Sequence, residues 1–239
     1  MKKVVIITGA SSGIGHETAV YLSQKGFDVV LVARNKEKLY NVAQEIKKLG
    51  GRPLIIPIDV SKIEEFEKMI EIVMEGYGKI DVLINNAGLM PLSLIKDGKL
   101  QKWHNAVDVN IKGVINGVSL VLPYMRSVNK GIIINIGSTV SQEVPPYGVI
   151  YSATKNAVKV ISEGLYKELA MEQSNVRVAH LSLGPTDTDI INNSNDLSIA
   201  EQFKHFKVSK FTPCDIAELI YRVIEDNPTN RFTDITTYP

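Results

Sequence analysis

The stretch Thr8-Gly9-Ala10-Ser11-Ser12-Gly13-Ile14-Gly15 follows the apolar run Val4–Ile7 and precedes a segment of helical composition, His16–Gln24. Three glycines at a strand-to-helix turn let the backbone bend sharply and come close to a pyrophosphate, and the helix N-terminus adds amide donors and a positive dipole end. The spacing is G-x-x-x-G-x-G, which differs from the commoner G-x-G-x-x-G. A flexible turn would also be rich in glycine, but the strand before it and the helix after it favour nucleotide binding.

Short apolar runs alternate with segments of helical period along the chain. The runs are continuous, which indicates strands that are covered on both faces, as in a parallel sheet. They are Val4–Ile7, Val29–Ala33, Leu54–Ile58, Val82–Ile84, Ile132–Ile136 and Val176–Leu183, and the last strand is predicted at Arg231–Thr236. This alternation predicts a doubly wound α/β fold with helices on both faces of the sheet.

Three helix starts carry capping signals. Asn35 is expected to cap the second helix, and Thr212 followed by Pro213 offers an N-cap with proline at the first helical position. Ser61-Lys62-Ile63-Glu64 is interpreted as a capping box. These signals place helices directly after the predicted strands or their connecting turns.

No repeat, low-complexity tract or linker divides the chain, so residues 1–239 are predicted to form a single dinucleotide-binding and catalytic domain. The polar, Asn/Ser-rich stretch at about residues 189–210 is interpreted as a substrate-binding loop or lid. Long loops within compact domains are more often functional than idle, although a plain surface loop is the alternative.

Composition narrows the class of protein. Hydrophobic residues make up 44% and charged residues 22% of the 239 residues, as in ordinary globular proteins. A net charge of +1 gives no reason to expect a nucleic acid or an anionic membrane as partner. The single cysteine fits a reducing compartment, and the apolar runs are too short for a signal peptide or a membrane span, which predicts a cytoplasmic protein. No metal site is expected, because metal-ligand spacing is absent among His16, His104, His180 and His205.

The glycine stretch resembles the glycine motif of the short-chain dehydrogenase/reductase family, and further matches follow in family order. They are Asp59-Val60, Asn85-Asn86-Ala87-Gly88, Asp108-Val109-Asn110, Ser138 and Tyr151-Ser152-Ala153-Thr154-Lys155. The resemblance implies a seven-stranded parallel sheet of the Rossmann type, a nicotinamide cofactor and redox chemistry. It also implies a homotetramer or homodimer assembled through the helical segments Asn110–Ser127 and Ile150–Glu172.

The same resemblance implies a set of cofactor-binding residues at the ends of successive strands. They are Gly9, Ser11, Ser12, Gly13, Ile14, Gly15, Arg34, Asp59, Val60, Asn86, Ala87, Gly88, Tyr151, Lys155, Gly184 and Thr188. The chain departs from the family pattern P-G-x-x-x-T after the sixth strand, where it has Leu183-Gly184-Pro185-Thr186-Asp187-Thr188. Leu183 could still cover the nicotinamide ring by apolar contact, but the path of this loop is left open.

The end of the second strand predicts which nicotinamide cofactor binds. NAD-specific Rossmann folds place a carboxylate about 20 residues beyond the glycine loop, where it accepts from the ribose 2′-hydroxyl. Here Ala33 has no such group, whereas the Arg34 guanidinium is able to hold a 2′-phosphate by paired hydrogen bonds. Arg34 could instead only solvate a helix start, but the missing carboxylate favours NADP(H).

Tyr151 and Lys155 are four residues apart in a segment of helical period, so their side chains share one face. A lysine ammonium beside a phenol favours the phenolate and lowers the pKa of tyrosine from about 10 towards neutrality. By resemblance, Tyr151 donates a proton to a carbonyl oxygen, and Ser138 hydrogen-bonds the same oxygen, with Thr139 as the competitor for that role. Lys155 would also hold the nicotinamide ribose, and Asn110 would position a water that links Lys155 to solvent, or else only cap or kink its helix.

These residues predict an NADPH-dependent oxidoreductase that reduces a small ketone or aldehyde to the alcohol, reversibly. An epimerase or dehydratase on the same fold is disfavoured, because the chain has no sizeable C-terminal substrate domain. A regulatory protein that binds NADPH without turnover is the alternative from another class. Such a sensor has no need of Ser138, Tyr151 and Lys155 together.

Overall fold

The computed structural model describes residues 2–190, 210–226 and 231–238, and these residues form one parallel sheet of seven strands. The strand order is β3-β2-β1-β4-β5-β6-β7. The strands are β1 Val4–Thr8, β2 Asp28–Ala33, β3 Leu54–Pro57, β4 Val82–Asn85, β5 Gly131–Ile136, β6 Val176–Ser182 and β7 Phe232–Thr236. Each predicted run agrees with a strand to within one residue at either end. The predicted doubly wound fold and its seven-stranded parallel sheet are therefore confirmed.

Helices cover both faces of this sheet. They are α1 Gly13–Gln24, α2 Lys36–Lys48, α3 Ile63–Tyr77, α4 Leu100–Val107, α5 Gly113–Ser127, α6 Val149–Met171 and α7 Pro213–Glu225. On one face, α1, α2 and α7 pack against the side chains of Val5, Ile7 and Leu31. On the other, α3, α5 and α6 pack against Ile6 and Leu83. Burial of both faces explains why the strands are continuously apolar.

Helix α4 continues through a π-helical turn, Asp108–Lys112, into α5. Among the described residues, the run Leu100–Ser127 is the one helical segment long and apolar enough by composition to cross a membrane, with a mean hydropathy of 1.2. Inside the fold, 44% of its most apolar window is buried. A core helix has the same properties, so the run does not indicate a membrane protein.

Two of the three predicted caps are present. The Asn35 side chain accepts a hydrogen bond from the amide of Lys38 at 2.9 Å and caps α2. The Thr212 hydroxyl accepts from the amide of Asp215 at 3.2 Å, and the Asp215 carboxylate accepts in return from the Thr212 amide at 2.8 Å. With Pro213 in the first turn, this reciprocal capping box fixes the start of α7.

The predicted capping box at Ser61 is wrong. Helix α3 begins at Ile63 with Lys62 as its N-cap, and no side chain caps it. The Ser61 amide and hydroxyl both donate to the Asp59 carboxylate, at 3.0 and 2.8 Å. Because the nearer carboxylate takes the serine hydroxyl, a short turn forms in front of the helix instead of a cap.

Strand β1 lies between β2 and β4, where the strand order reverses and α/β folds bind their ligands. At this position, hydrogen bonds join the glycine turn after β1 to the segment after β4. The Thr8 hydroxyl accepts from the amides of Asn86 and Ala87, at 2.9 and 3.0 Å, and the Asn86 side chain donates to the Thr8 carbonyl at 2.9 Å. A Cβ on Gly15 would lie 2.3 Å from the Gly9 carbonyl oxygen. Only glycine therefore allows this turn to close.

A row of polar side chains crosses four strands at one register, on the face covered by α5 and α6. The strand pairing places Asn85 beside Asn135, Asn135 beside His180, and His180 beside Asp234. The Asn85 amide donates to Asn135 at 2.8 Å, and a His180–Asp234 hydrogen bond of 2.9 Å lies at the other end of the row. These polar groups are largely paired with one another inside the sheet layer.

We expect Gly15→Ala to destabilise the protein by about 1–3 kcal/mol, because its Cβ would overlap the Gly9 carbonyl and the Asn86 side chain. Gly76→Ala is the matched control, since Gly76 is also helical and an added Cβ there meets nothing within 4 Å. That substitution should raise the free energy of unfolding by about 0.5–1 kcal/mol. Urea denaturation measures both effects, and equal stability of the two variants would contradict the packing of this turn.

Candidate active site

A cleft of about 460 Å³ opens over the carboxyl ends of the central strands. It is lined by Gly9, Ser11, Ser12, Gly13, Ile14, Ala33, Arg34, Asn35, Lys38, Ile58, Asp59, Val60, Asn86, Ala87, Gly88, Leu89, Val109, Thr188, Asp189 and Ile190. Of the predicted cofactor residues, Gly15, Gly184, Tyr151 and Lys155 are not part of this lining. The cleft thus brings together the loops after β1, β2, β3 and β4 and the segment after β6.

The glycine turn provides a cradle for a pyrophosphate. Gly9 and Gly13 have φ angles of +69° and +55°, a region in which only glycine is unstrained. Ser12 precedes the first turn of α1 and makes no side-chain cap, so the first amides of this helix are available to an anion in the cleft. A Cβ on Gly13 would lie 3.2 Å from the Thr188 side chain, which closes the cradle from the other side. The cradle fits a dinucleotide.

Two cationic side chains also line the cleft. Arg34 and Lys38 both contribute to its lining, and neither forms an ion pair with another described residue. Lys38 lies in the first turn of α2, where the helix dipole disfavours a cation and favours an anion. A phosphate between these side chains would satisfy both cations and the helix terminus. Sequence reasoning missed Lys38, although its spacing of four from Arg34 across a helix start was visible.

Tyr151 and Lys155 lie on α6 and are 7% and 5% exposed. Ser138 follows β5, and its side chain lies near enough to the Tyr151 hydroxyl to lower the pKa of the phenol. The Lys155 ammonium lies 5.8 Å from the centre of the Tyr151 ring and donates to the carbonyl of Ile136 at 2.7 Å. Thr139 has no comparable effect on the pKa of Tyr151, and its amide donates to the Leu183 carbonyl at 3.0 Å. The predicted serine, tyrosine and lysine therefore come together.

Burial shifts the pKa values of the tyrosine and the lysine. It raises the pKa of Tyr151 to about 12, although the Ser138 side chain lowers it in part. Burial likewise lowers the pKa of Lys155 to about 8. The shift of Tyr151 is opposite to the one expected from the lysine alone, because desolvation of the phenolate outweighs that attraction. Near neutrality the phenol keeps its proton and Lys155 keeps its charge.

Asn110 lies in the π-helical turn and is almost fully buried. Its side chain accepts from the Leu89 amide at 2.8 Å and donates to the Leu89 carbonyl and the Thr154 hydroxyl, both at 2.9 Å. The amide thus ties the loop after β4 to α6. A Cβ on Gly88 would lie 3.6 Å from the Asn110 oxygen and 3.8 Å from the Lys155 ammonium. Gly88 therefore borders both polar groups.

The segment after β6 follows a path that the sequence left open. Leu183 is buried and belongs to the core cluster that also contains residues of α1 and α7. The Gly184 amide donates to the Thr237 hydroxyl at 2.9 Å, and Thr186 pairs with Phe211 in an isolated bridge. The predicted lid spans about residues 189–210, and its residues 191–209 lie outside the part of the chain that the structure describes. Within the described ranges, no group of three histidine, cysteine or acidic side chains could hold a metal ion.

We expect the affinity for the nicotinamide cofactor to fall as the pH rises through about 8, because buried Lys155, which is predicted to hold the nicotinamide ribose, loses its proton there. A charged donor is stronger than a neutral one by about 1 kcal/mol, which corresponds to about fivefold in Kd. Fluorescence titration with NADPH at about pH 6.5 and about pH 9.5 measures this change. Lys155→Met should bind more weakly at both values and lack the pH-dependent step. A constant Kd in the wild type would contradict the lowered pKa.

The comparisons with known proteins agree with this geometry. The sequence pattern of the short chain dehydrogenase family matches residues 3–198. An oxidoreductase of Staphylococcus saprophyticus is 41% identical over 96% of this chain and 94% of its own length. An alcohol dehydrogenase from the archaeon Thermococcus sibiricus, complexed with 5-hydroxy-NADP, has a TM-score of 0.87 at 27% identity, covering 100% of this chain and 97% of that one.

A second solved structure binds the other nicotinamide cofactor. A short chain dehydrogenase/reductase from Burkholderia phymatum, in complex with NAD, has a TM-score of 0.91 at 27% identity and covers 100% of this chain and 89% of that one. Structural similarity alone therefore leaves the cofactor as NAD or NADP. The match over most of the sequence, the similar oxidoreductases and the shared fold lead to one conclusion. This chain belongs to the short chain dehydrogenase family and is an oxidoreductase of that family.

Proposed function

We propose that the protein is an NADPH-dependent reductase that converts a small ketone or aldehyde to its alcohol, reversibly. The observation that carries this proposal is the position of the Ser138 side chain beside the buried Tyr151 hydroxyl, with Lys155 next to the same ring. These three groups follow β5 or lie on α6, close to a cleft that fits a dinucleotide. One sheet and its helices supply all of them, in keeping with a single catalytic domain.

Tyr151 acts as the general acid in this proposal. A bound NADPH would supply the hydride for the carbonyl carbon. Burial keeps the pKa of Tyr151 at about 12, so its oxygen carries a proton to donate to the carbonyl oxygen at neutral pH. The Ser138 hydroxyl, which lies beside Tyr151, is a second donor to the same oxygen and stabilises its developing negative charge.

Lys155 and Asn110 support the proton transfer. When Tyr151 gives up its proton, a buried phenolate forms, and the Lys155 ammonium is the cation close enough to stabilise it. The same ammonium would hold the nicotinamide ribose beside Gly88. Asn110 holds Leu89 and Thr154 together and so maintains the wall against which Lys155 lies. The proposal also includes a water that Asn110 positions and that links Lys155 to solvent.

The preference for NADPH rests on charge at the end of β2. Arg34 and Lys38 provide two unpaired cations beside a helix N-terminus, and the strand ends in Ala33 rather than a carboxylate. A 2′-phosphate has the charge and the acceptor oxygens to bind both. The ribose 2′-hydroxyl of NADH is uncharged, so it would leave Arg34 and Lys38 without an anion to bind.

We further propose that the protein acts in the cytoplasm on a small-molecule substrate, without a nucleic-acid or membrane partner. We propose a homotetramer or homodimer through α5 and α6. Large apolar side chains on these helices face solvent in the monomer, which supports an interface there. They include Ile115, Tyr124, Val160 and Met171. The alternative is an NADPH sensor without turnover, but such a protein would gain nothing from burying a serine, a tyrosine and a lysine together.

Assays of NADPH consumption with ketones, aldehydes, diketones and keto acids test the function. We expect turnover by the wild type and a loss of about 10²–10⁴-fold in kcat in Tyr151→Phe, which lacks the donated proton. Ser138→Ala should lose activity severely, whereas Thr139→Ala is the matched control and should lose little. Tight NADPH binding without turnover on any compound would favour the sensor, and the reverse order of the two alanine variants would assign the hydroxyl role to Thr139.

The cofactor preference has its own test. We expect Arg34→Ala and Lys38→Ala each to weaken NADPH binding by about 10–100-fold, as removal of a charged hydrogen bond costs about 1.5–3 kcal/mol. The Kd for NADH should change by less than about twofold in the same variants, since NADH lacks the phosphate. Lys36→Ala is the control, because Lys36 is in the same helical turn but not in the cleft lining. Equal losses for both cofactors would refute the phosphate site.

A further inference from the structure

His180 is the fifth of the seven residues of β6 and is 0% exposed. One ring nitrogen, Nδ1, lies 2.9 Å from a carboxylate oxygen of Asp234 on β7, which is 36% exposed at its side chain. An ionised carboxylate only accepts hydrogen bonds, so Nδ1 carries the proton and donates. Burial lowers the pKa of His180, while Asp234 opposes that shift. The ring is therefore neutral near pH 7, and Nε2 has no proton.

The Nε2 edge of this ring lies against the backbone that leads to the active site. Nε2 has no hydrogen-bond partner among the described residues. A Cβ on Gly137 would lie 2.2 Å from Nε2 and 2.8 Å from Cε1 of the ring, so the imidazole occupies the space of a missing side chain. Gly137 immediately precedes Ser138, and its amide donates to the Leu181 carbonyl at 2.8 Å. The ring thus contacts the chain one residue before the proposed catalytic serine.

We propose that His180, oriented by Asp234, is a positioning residue that packs against Gly137 and so holds Ser138 at the Tyr151 hydroxyl. This inference rests on the proposed reductase function. Three contacts in series carry it: Asp234 to His180, His180 to Gly137, and Ser138 to Tyr151. Ring orientation matters because the imidazole is planar and only one edge fits over a glycine.

The charges around His180 explain why a neutral ring belongs at this position. Lys155 and Lys159 of α6 both oppose a positive charge on the imidazole, and Asp234 of β7 is the anion that faces it. On β5, the neighbour in register is the uncharged Asn135. A charged ring would place a proton on Nε2, against Gly137, where the described part of the chain offers no acceptor. The contact therefore depends on an unprotonated Nε2.

The decisive variant is Asp234→Ala, which leaves every proposed catalytic and cofactor-binding residue in place. We expect kcat at saturating substrate and NADPH to fall on the order of tenfold, because small displacements of a catalytic group carry large rate penalties. The Kd for NADPH should stay within about twofold, since the cofactor cleft is lined by other residues. Asp234→Asn retains an oxygen that accepts from Nδ1 and should recover most of the rate. Glu225→Ala removes another partly exposed carboxylate, paired with Lys3, and serves as the matched control without effect.

Each outcome has a distinct meaning. A wild type without turnover refutes the proposed function and this inference with it. An active wild type with unchanged kcat in Asp234→Ala, even at a lower melting temperature, refutes only the inference and leaves a structural pair. A second measurement addresses the contact itself. Gly137→Ala should destabilise the fold strongly, and His180→Ala in the same chain should restore part of that loss; additive losses would refute the contact.

Discussion

The strand order of the sheet reverses between β1 and β4, and there the Thr8 hydroxyl accepts hydrogen bonds from the backbone amides of Asn86 and Ala87. The Asn86 side chain in turn donates a hydrogen bond to the Thr8 carbonyl. This exchange joins the ends of β1 and β4, which are 76 or more residues apart in sequence. It leaves no room for a side chain at Gly15, so the glycine turn takes the curved path from which α1 can begin. The shape of the glycine turn and the position of Gly88, which borders Asn110 and Lys155, depend on these hydrogen bonds.

The chemistry of the site depends on what burial does to two neighbouring groups. Desolvation disfavours the charged form of each, so it pushes the pKa of the acid Tyr151 up and that of the base Lys155 down. Near pH 7, Tyr151 therefore keeps its proton, and the neighbouring Lys155 is charged but has a pKa only slightly above that pH. Opposed shifts of this kind separate the roles of acid and counterion at one site. The Ser138 side chain partly offsets the desolvation of the tyrosine and so favours release of its proton.

Sequence reasoning predicted the fold well because its decisive signals are local. Continuous apolar runs located the strands, and the Asn35 and Thr212 caps were found because each depends on residues within three positions. The Ser61 cap failed because a carboxylate two residues earlier competed for the hydroxyl. Lys38 was missed because whether a surface lysine faces a cleft depends on where α2 sits on the sheet. The direction of the Tyr151 pKa shift was wrong because spacing reveals the neighbouring cation but not the depth of burial.

The pairing of His180 with Asp234 could not be predicted, since the two residues are 54 positions apart and meet only through the register of β6 and β7. Their proposed role in positioning Ser138 likewise depends on how the sheet is assembled.

The polar row through Asn85, Asn135, His180 and Asp234 also has a consequence for how the sheet assembles. Parallel strands made of valine and isoleucine on both faces are nearly interchangeable when one slides past another by two residues, because each face stays apolar. Such a slide would place a buried asparagine or histidine opposite an aliphatic side chain, and an unpaired buried polar group costs about 1–3 kcal/mol. The hydrogen-bonded pairs Asn85–Asn135 and His180–Asp234 therefore favour one register of β4 with β5 and of β6 with β7. The sheet gives up some apolar packing along this line and gains a single defined register.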